Sequence, residues 1–464
     1  MSGNSARILR DAEEHYAVWL SAIGAARRTV FLENYIFADD EVGREFVTAL
    51  AVKAREGVRV RVIHDWLGSF SVTARLWRPL LEAGGVVRCF NPPRLASPLG
   101  WLVRDHRKML AVDGRVGFVT GLCVSRKWLG DPARGLAPWR DTGVEVCGPG
   151  VAGIEEAFAQ TWATIGPPLS AEELTAPEQM PVVGDVALRV LAAVPNIAGL
   201  YRLDQLIAAM AHRTRWLTDA YFVGVAPYVQ ALRAAALDGV DVRLLVPGSS
   251  DLPLVSALSR TGYRPLLEAG VRVFEWNGPM LHAKTAVADG RWARIGSTNL
   301  NLSSWVGNYE LDVAVEDQRF ASAMAQMYEE DIANATEIVL DAHRRVCAPG
   351  HARRPRRKTG GGSAARAAAG ALRIGNTVGA AIADRRVLGP AEAGIAMGAG
   401  LGLLGLALIG MLWPLVIALP VALLAAWAAV ALLVRSRKLR AAARRSRTTT
   451  SRDSSSPRCG GGNH

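Results

Sequence analysis

The sequence predicts an α/β protein of two duplicated α/β/α sandwich halves related by pseudo-two-fold symmetry, followed by a C-terminal transmembrane helical hairpin. Three observations lead there. His-x-Lys-x4-Asp occurs twice, as His106-Arg107-Lys108 with Asp113 and as His282-Ala283-Lys284 with Asp289, and each Asp is followed by Gly. The seven letters Arg-Pro-Leu-Leu-Glu-Ala-Gly stand at 78–84 and again at 264–270. The 42 residues from Ala393 to Val434 carry no charged side chain. One short motif arises by chance in a chain of 464 residues; two with the same internal spacing, inside a longer repeat, are hard to obtain by accident.

The repeat extends upstream of both motifs. Gly57 to Val62 parallels Gly239 to Leu244, and Tyr35-Ile36-Phe37 parallels Tyr221-Phe222-Val223. A spacing this long marks a duplicated domain, because solenoid repeats are only ~20–50 residues. Within the first copy, Ala12 to Arg27 has helical periodicity and Arg28 to Phe37 reads as a buried strand. Val42 to Glu56 is an amphipathic helix, and Val58 to His64 the next strand. That β-α-β rhythm predicts a sheet covered by helices in each half. The halves are expected at 1–164 and 185–342. Between them, 165–184 holds Pro167, Pro168, Pro177 and Pro181 and reads as a linker.

Composition changes after Ala342. Residues 343–392 read as a basic linker with a short helix, and 435–464 as a basic disordered tail. The run 393–434 is long enough for two spans of ~20 residues, turning at Trp413-Pro414. Arg385-Arg386 before it and Arg435, Arg437 and Lys438 after it place both ends on the cytoplasmic side. Met1 to Leu20 is charged throughout, so no signal peptide is expected. The five cysteines are scattered and lack CxxC spacing, which predicts free thiols and no metal or disulfide framework. Residues 343–464 hold 20 basic and three acidic side chains, a net of +17, whereas the other 342 residues hold 34 and 39, a net of −5. A nucleic-acid enzyme concentrates positive charge on the body that grips phosphates; this body is mildly acidic.

Alternation in a strand points His106 with Lys108, and His282 with Lys284, to one face. Asp113 and Asp289 have the opposite parity, and Asp-Gly resembles a hairpin turn, so they are expected to orient and support. A phosphodiester needs cationic donors on its oxygens, which Lys108 and Lys284 supply, while two imidazoles divide nucleophilic attack and leaving-group protonation. No cofactor or metal is called for. Gly296-Ser297-Thr298-Asn299 brings small residues, a hydroxyl and an amide towards a phosphate, making Ser297 and Asn299 candidate substrate contacts. The first copy has Thr120-Gly121-Leu122-Cys123 there, with a thiol in place of the amide. Glu310 is a third candidate at the substrate site, where it either orients a catalytic histidine or is a solvated strand-edge carboxylate. His64 reads as a polar strand-end residue.

These residues resemble the phospholipase D superfamily, whose HxKx4D signature stands at 106–113 and 282–289, over about residues 7–340. The resemblance is closest to the bacterial cardiolipin synthase branch, through Asp39-Asp40 with Gly43, Asp65 with Gly68-Ser69, Asn301-Leu302, and Asn308 with Glu310. It implies two phospholipase D-like halves and a membrane-held phosphatidyl transferase on the cytoplasmic side of the cell membrane. His106 would be the nucleophile and His282 the general acid, then base, joining two phosphatidylglycerols into cardiolipin. The same site serves a phospholipid hydrolase when water is the acceptor. A nuclease, or an adaptor with a decayed site, are the remaining alternatives, and histidines too far apart to share one phosphorus would mark the adaptor.

Overall fold

The computed structural model describes residues 1–93, 102–176, 179–341 and 346–347, with Leu419, Ala426 and Trp427 beyond them. Residues 1–92 and 103–388 group as one compact unit, and 93–102 with 389–464 as another. The basic linker, the hairpin expected over 393–434 and the basic tail thus lie outside the described residues, those few positions apart. Among the described residues no helix is long and apolar enough to cross a membrane.

The first half runs β1 (Ser5–Arg10), α1 (Asp11–Ala25), β2 (Thr29–Asn34), α2 (Glu41–Arg55), β3 (Arg59–Asp65), α3 (Ala74–Glu82), β4 (Val86–Phe90), β5 (Lys108–Val112), β6 (Val116–Thr120), β7 (Thr142–Cys147) and α4 (Gly150–Thr164). The second runs β8 (Ala187–Ala193), α5 (Gly199–Met210), β9 (Thr214–Thr218), α6 (Ala226–Leu237), β10 (Asp241–Pro247), α7 (Pro253–Thr261), α8 (Tyr263–Glu268), β11 (Arg272–Trp276), β12 (Thr285–Ala288), β13 (Trp292–Gly296), β14 (Glu310–Glu316) and α9 (Gln318–Ala333), then β15 (Ala335–Leu340) and β16 (Val346–Cys347). The repeated Arg-Pro-Leu-Leu-Glu-Ala-Gly ends α3 and α8, and both final glycines take φ +89°. No side chain adopts that conformation easily, which is why the copies share glycine there.

The first sheet has the order β1-β7-β6-β5-β2-β3-β4 and the second β8-β14-β13-β12-β9-β10-β11, extended by β15 and β16. Each sheet is mixed: β2, β3 and β4 are parallel, as are β9, β10 and β11, and the remaining pairings are antiparallel. β2 is buried along its whole length, as a central strand covered on both faces must be. Its alternation divides two cores. Val30 and Leu32 face Trp19, Phe46, Leu50 and Leu80 of α1, α2 and α3. Phe31 faces Phe158 and Trp162 of α4 in a cluster that also holds Ile295, Leu311, Val313 and Phe320 of the second half. The two halves therefore share one interior. α2 begins where Asp40 accepts the Gly43 N–H at 3.0 Å, and buries Val42, Phe46, Val47, Leu50 and Ala54 as one stripe.

Asp113-Gly114 and Asp289-Gly290 close the β5–β6 and β12–β13 hairpins, all four with φ between +53° and +66°, as a type I′ turn requires. Asp113 then accepts the backbone N–H groups of Arg27, Arg28 and Thr29 at 2.7–2.8 Å. Asp289 does the same for His212, Arg213 and Thr214 at 2.8–2.9 Å. Each motif aspartate fastens its hairpin to the start of the neighbouring antiparallel strand, β2 or β9. Asp113→Ala leaves three donors without this acceptor and a poor residue at positive φ. The expected loss is about 1–3 kcal/mol in urea unfolding. Asp113→Asn, which tolerates the backbone and keeps one carbonyl oxygen, loses less.

Candidate active site

β5 and β12 lie near the middle of their sheets, and the residues leading into them reach one small cleft. His106, Lys108 and His282 line it, with Tyr35, Cys123 and Tyr221. Both imidazoles are nearly enclosed, at 2% and 5% exposure. Lys284 is buried beside His282, its Nζ 2.9 Å from Nδ1 and 3.1 Å from Nε2. Each lysine also donates to the carbonyl of the histidine two residues before it.

Each histidine is held by the opposite half. His106 donates its backbone N–H to Tyr309 O at 2.9 Å, and its Nδ1 lies 2.9 and 3.1 Å from the Glu310 carboxyl oxygens. His282 donates its N–H to Arg140 O at 2.7 Å, and its Nδ1 lies 2.8 Å from Asp141 Oδ2. The register makes Asp141 the counterpart of Glu310, because Thr120 pairs with Gly143 as Gly296 pairs with Asp312. Asp141 also accepts from Trp128 Nε1 at 3.0 Å and from the Thr142 N–H at 2.9 Å.

The two carboxyls differ in charge. Burial pushes Asp141 upward, but His282, Lys284 and the Thr142 N–H outweigh it, so the group lies well below the ordinary carboxylate range. It is an anion that can accept a hydrogen bond from His282 Nδ1–H, which leaves Nε2 as the basic nitrogen. Burial lifts Glu310 to about 7 against the pull of Lys108 and Ser297. His282 is lowered to about 4 by burial and then by Lys284, with Asp141 opposing. Lys284 falls to about 8 for the same reason, burial first.

The structure brings His106, Lys108, His282 and Lys284 together and leaves other candidates elsewhere. Asp113 and Asp289 stand in turns at the far ends of β5 and β12, bound to backbone, and do not line the cleft. Ser297 is fully buried behind Glu310, donating to Oε2 at 2.6 Å and accepting the Leu311 N–H at 3.0 Å, so it faces no substrate. Glu310 is likewise enclosed on His106; it is neither a solvated edge carboxylate nor a cleft-lining group. Asn299 is buried, and neither side-chain polar atom has a hydrogen-bond partner among the described residues. Its counterpart Cys123 does line the cleft, its thiol pushed up by burial. His64 stacks on Trp77 within the first half's core, 5.4 Å between rings.

Sequence reasoning missed Asp141, Lys127, Trp128, Trp139 and Asp251, the last four of which line the cleft. Asp141 was hidden because Thr120–Asp141 is seven residues longer than Gly296–Glu310. Its signal is the position two residues before the strand partner of the Thr120/Gly296 pair.

A family model described as "Cardiolipin synthase, PLD-like domain" matches residues 205–332. The chain is 35% identical over 356 residues to cardiolipin synthase A of Pseudomonas fluorescens, covering 75% of this chain and 72% of that one. It is 31% identical to a cardiolipin synthase of Halalkalibacterium halodurans over 73% of this chain and 68% of the relative. Phosphatidylserine synthase of Haemophilus influenzae shares the fold, with a TM-score of 0.57 at 14% identity over 72% of this chain and 87% of that one. With two HxKx4D motifs meeting in one cleft on this mixed α/β fold, the chain belongs to the cardiolipin synthase family of phospholipase D-like enzymes.

With its acid–base midpoint at about 4, the His282 ring is expected to show no titration between pH 8 and about 5.5 in long-range 1H–15N spectra. Lys284→Gln removes a cation that disfavours imidazolium and moves the midpoint up. Asp141→Asn removes the anion that favours it and moves the midpoint down.

Proposed function

We propose that the chain is a phosphatidyl transferase that makes cardiolipin from two molecules of phosphatidylglycerol through a phosphatidyl-histidine intermediate. The observation that carries this reading is two histidines in one cleft, each braced at Nδ1 by a carboxyl from the other half. Family membership supports the substrate class, through relatives named cardiolipin synthase.

His106 Nε2 attacks the phosphorus of the first phosphatidylglycerol. The bond to the glycerol oxygen breaks, and His282 protonates that oxygen so that glycerol leaves. His282 is neutral at rest; the arriving phosphodiester anion raises its affinity for a proton, and Asp141 steadies the imidazolium. His282 then takes the proton from a hydroxyl of a second phosphatidylglycerol. The resulting oxygen attacks phosphorus, the P–N bond breaks, and His106 is regenerated. Lys108 and Lys284 carry the non-bridging oxygens' charge. With water as acceptor the product would be phosphatidic acid. The uncharged run 393–434 and its basic flanks support a body held at the cytoplasmic face of a membrane.

The test uses purified protein in lipid–detergent micelles with labelled phosphatidylglycerol, followed by lipid mass spectrometry. Wild type should yield cardiolipin and glycerol, and His106→Ala and His282→Ala neither. Phosphatidic acid alone would make the protein a hydrolase, and no turnover would overturn the reading. A second expectation concerns pH. Glu310, with its midpoint lifted to about 7, is neutral below that pH and a carboxylate above it. The anion on Nδ1 makes His106 Nε2 the better nucleophile, so kcat should climb between about pH 6 and 8. Glu310→Gln should flatten that limb and lower the plateau by about 10²–10⁴-fold.

A further inference from the structure

The two ends of the cleft are built differently. Around His106 stand Tyr35, 4.9 Å away ring to ring, and Ile36. Around His282 stand Trp128 at 5.4 Å, Tyr221 at 5.7 Å and Trp139 at 5.8 Å. Beside them Asp251 lines the cleft with its carboxylate held on both oxygens: Tyr221 OH donates to Oδ1 at 2.8 Å and Lys127 Nζ to Oδ2 at 3.0 Å. Lys127 in turn lies 3.9 Å over the Trp139 ring. The phosphoryl chemistry described above uses neither Asp251 nor Lys127. A mostly buried carboxylate braced by groups from both halves is held in a fixed position at the cleft wall beside His282. Burial pushes this group upward, but Lys127 and the Tyr221 hydroxyl outweigh it and keep the carboxyl below its ordinary range, an anion at neutral pH.

We propose that Asp251 is a specificity residue, accepting a hydrogen bond from the second hydroxyl of a vicinal-diol acceptor whose first hydroxyl reaches His282. Each carboxylate oxygen has two acceptor positions and uses one for its brace, so a further donor can be taken. Trp128 and Trp139 line the same end of the cleft and make its wall apolar, and the carboxylate supplies the polar group that fixes a polyol's orientation. The site thereby selects a polyol headgroup over a monohydric alcohol or water. This rests on the transferase reading, since it concerns which alcohol meets the phosphatidyl intermediate.

The experiment is a competition for that intermediate. Full-length protein in micelles receives phosphatidylglycerol as donor with equal concentrations of 13C-glycerol and 1-propanol. Mass spectrometry reads the ratio of 13C-labelled phosphatidylglycerol to phosphatidylpropanol. Because both products leave one intermediate, the ratio does not depend on how much enzyme is folded. Wild type should favour glycerol, and Asp251→Ala should lower the ratio about tenfold or more, the size expected for one hydrogen bond to a charged group. Should the alanine variant fail to fold, Asp251→Asn, or Tyr221→Phe, which removes one brace, should move the ratio in the same direction. A ratio unchanged in the variants overturns the assignment of Asp251 while leaving the transferase standing. No consumption of phosphatidylglycerol by wild type overturns both.

Discussion

His106 passes its backbone N–H to Tyr309 and its ring to Glu310, while His282 passes its own to Arg140 and Asp141, so each half orients the other's histidine. The exchange is returned: Tyr309 N–H donates to Arg104 O and Arg140 N–H to Met280 O, both at 2.9 Å. Two short parallel bridges therefore cross between the sheets at the cleft. Neither half alone could hold its imidazole in a defined tautomer, because the carboxyl that does so is encoded about 141 or 204 residues away. Buried backbone at such a crossing must be satisfied. Arg107 helps by donating to the carbonyls of Glu310, Ala157 and Ala193 from a fully buried guanidinium. Arg140 meets Asp331 at 2.8 and 2.9 Å. Removing either guanidinium would leave acceptors or an anion stranded in the interior, which is why the crossing and the shared core stand or fall together.

The crossing is symmetric in backbone but not in charge. Behind His106, Glu33 and Asp105 are both buried and both pushed up by burial, with Arg107 pulling against it. The counterparts behind His282 are Thr218 and Leu281, which carry no charge. Of the orienting carboxyls, Glu310 titrates near neutrality and Asp141 stays ionised. A permanent anion suits the histidine that must become imidazolium and lose the proton again within one turnover. A carboxyl poised near 7 suits one whose nucleophilicity is to be tuned rather than its charge. The proposed division of labour between His106 and His282 thus has a physical basis in their surroundings, beyond their order in the chain.

Features set by local spacing were legible in the sequence. The duplicated motif, the shared Arg-Pro-Leu-Leu-Glu-Ala-Gly and the Asp-Gly hairpins depend on residues within one turn or strand, where alternation and positive-φ chemistry act directly. The supporting parity of Asp113 and Asp289 was readable for the same reason. The inward position of Ser297 was not, because small polar residues before a strand look alike whether they face a ligand or a buried carboxyl. Asp141 escaped because a longer connection broke the alignment just before it. Asp251 and Lys127 escaped more thoroughly: they meet across 124 residues of sequence, one from each half. No periodicity records such a meeting.

The longer β6–β7 connection explains how a duplicated fold can surround its two histidines differently. The sheets and crossing segments are bound to each other by reciprocal bonds, so a change in one copy disturbs the other. A surface connection is under no such constraint, and lengthening it costs little, about 0.6 kcal/mol per doubling of a flexible loop. In the first half the extra residues carry Lys127 and Trp128 and lead into Trp139, all delivered to the His282 end of the cleft. The corresponding connection in the second half is shorter and holds one π-helical turn at Ser303–Gly307. One copy thus builds a wall over its partner's histidine, and the partner does not reciprocate. Two equivalent phosphate-handling halves become a cleft with distinct ends, one for the histidine proposed to carry the phosphatidyl group and one for the histidine proposed to serve both alcohols.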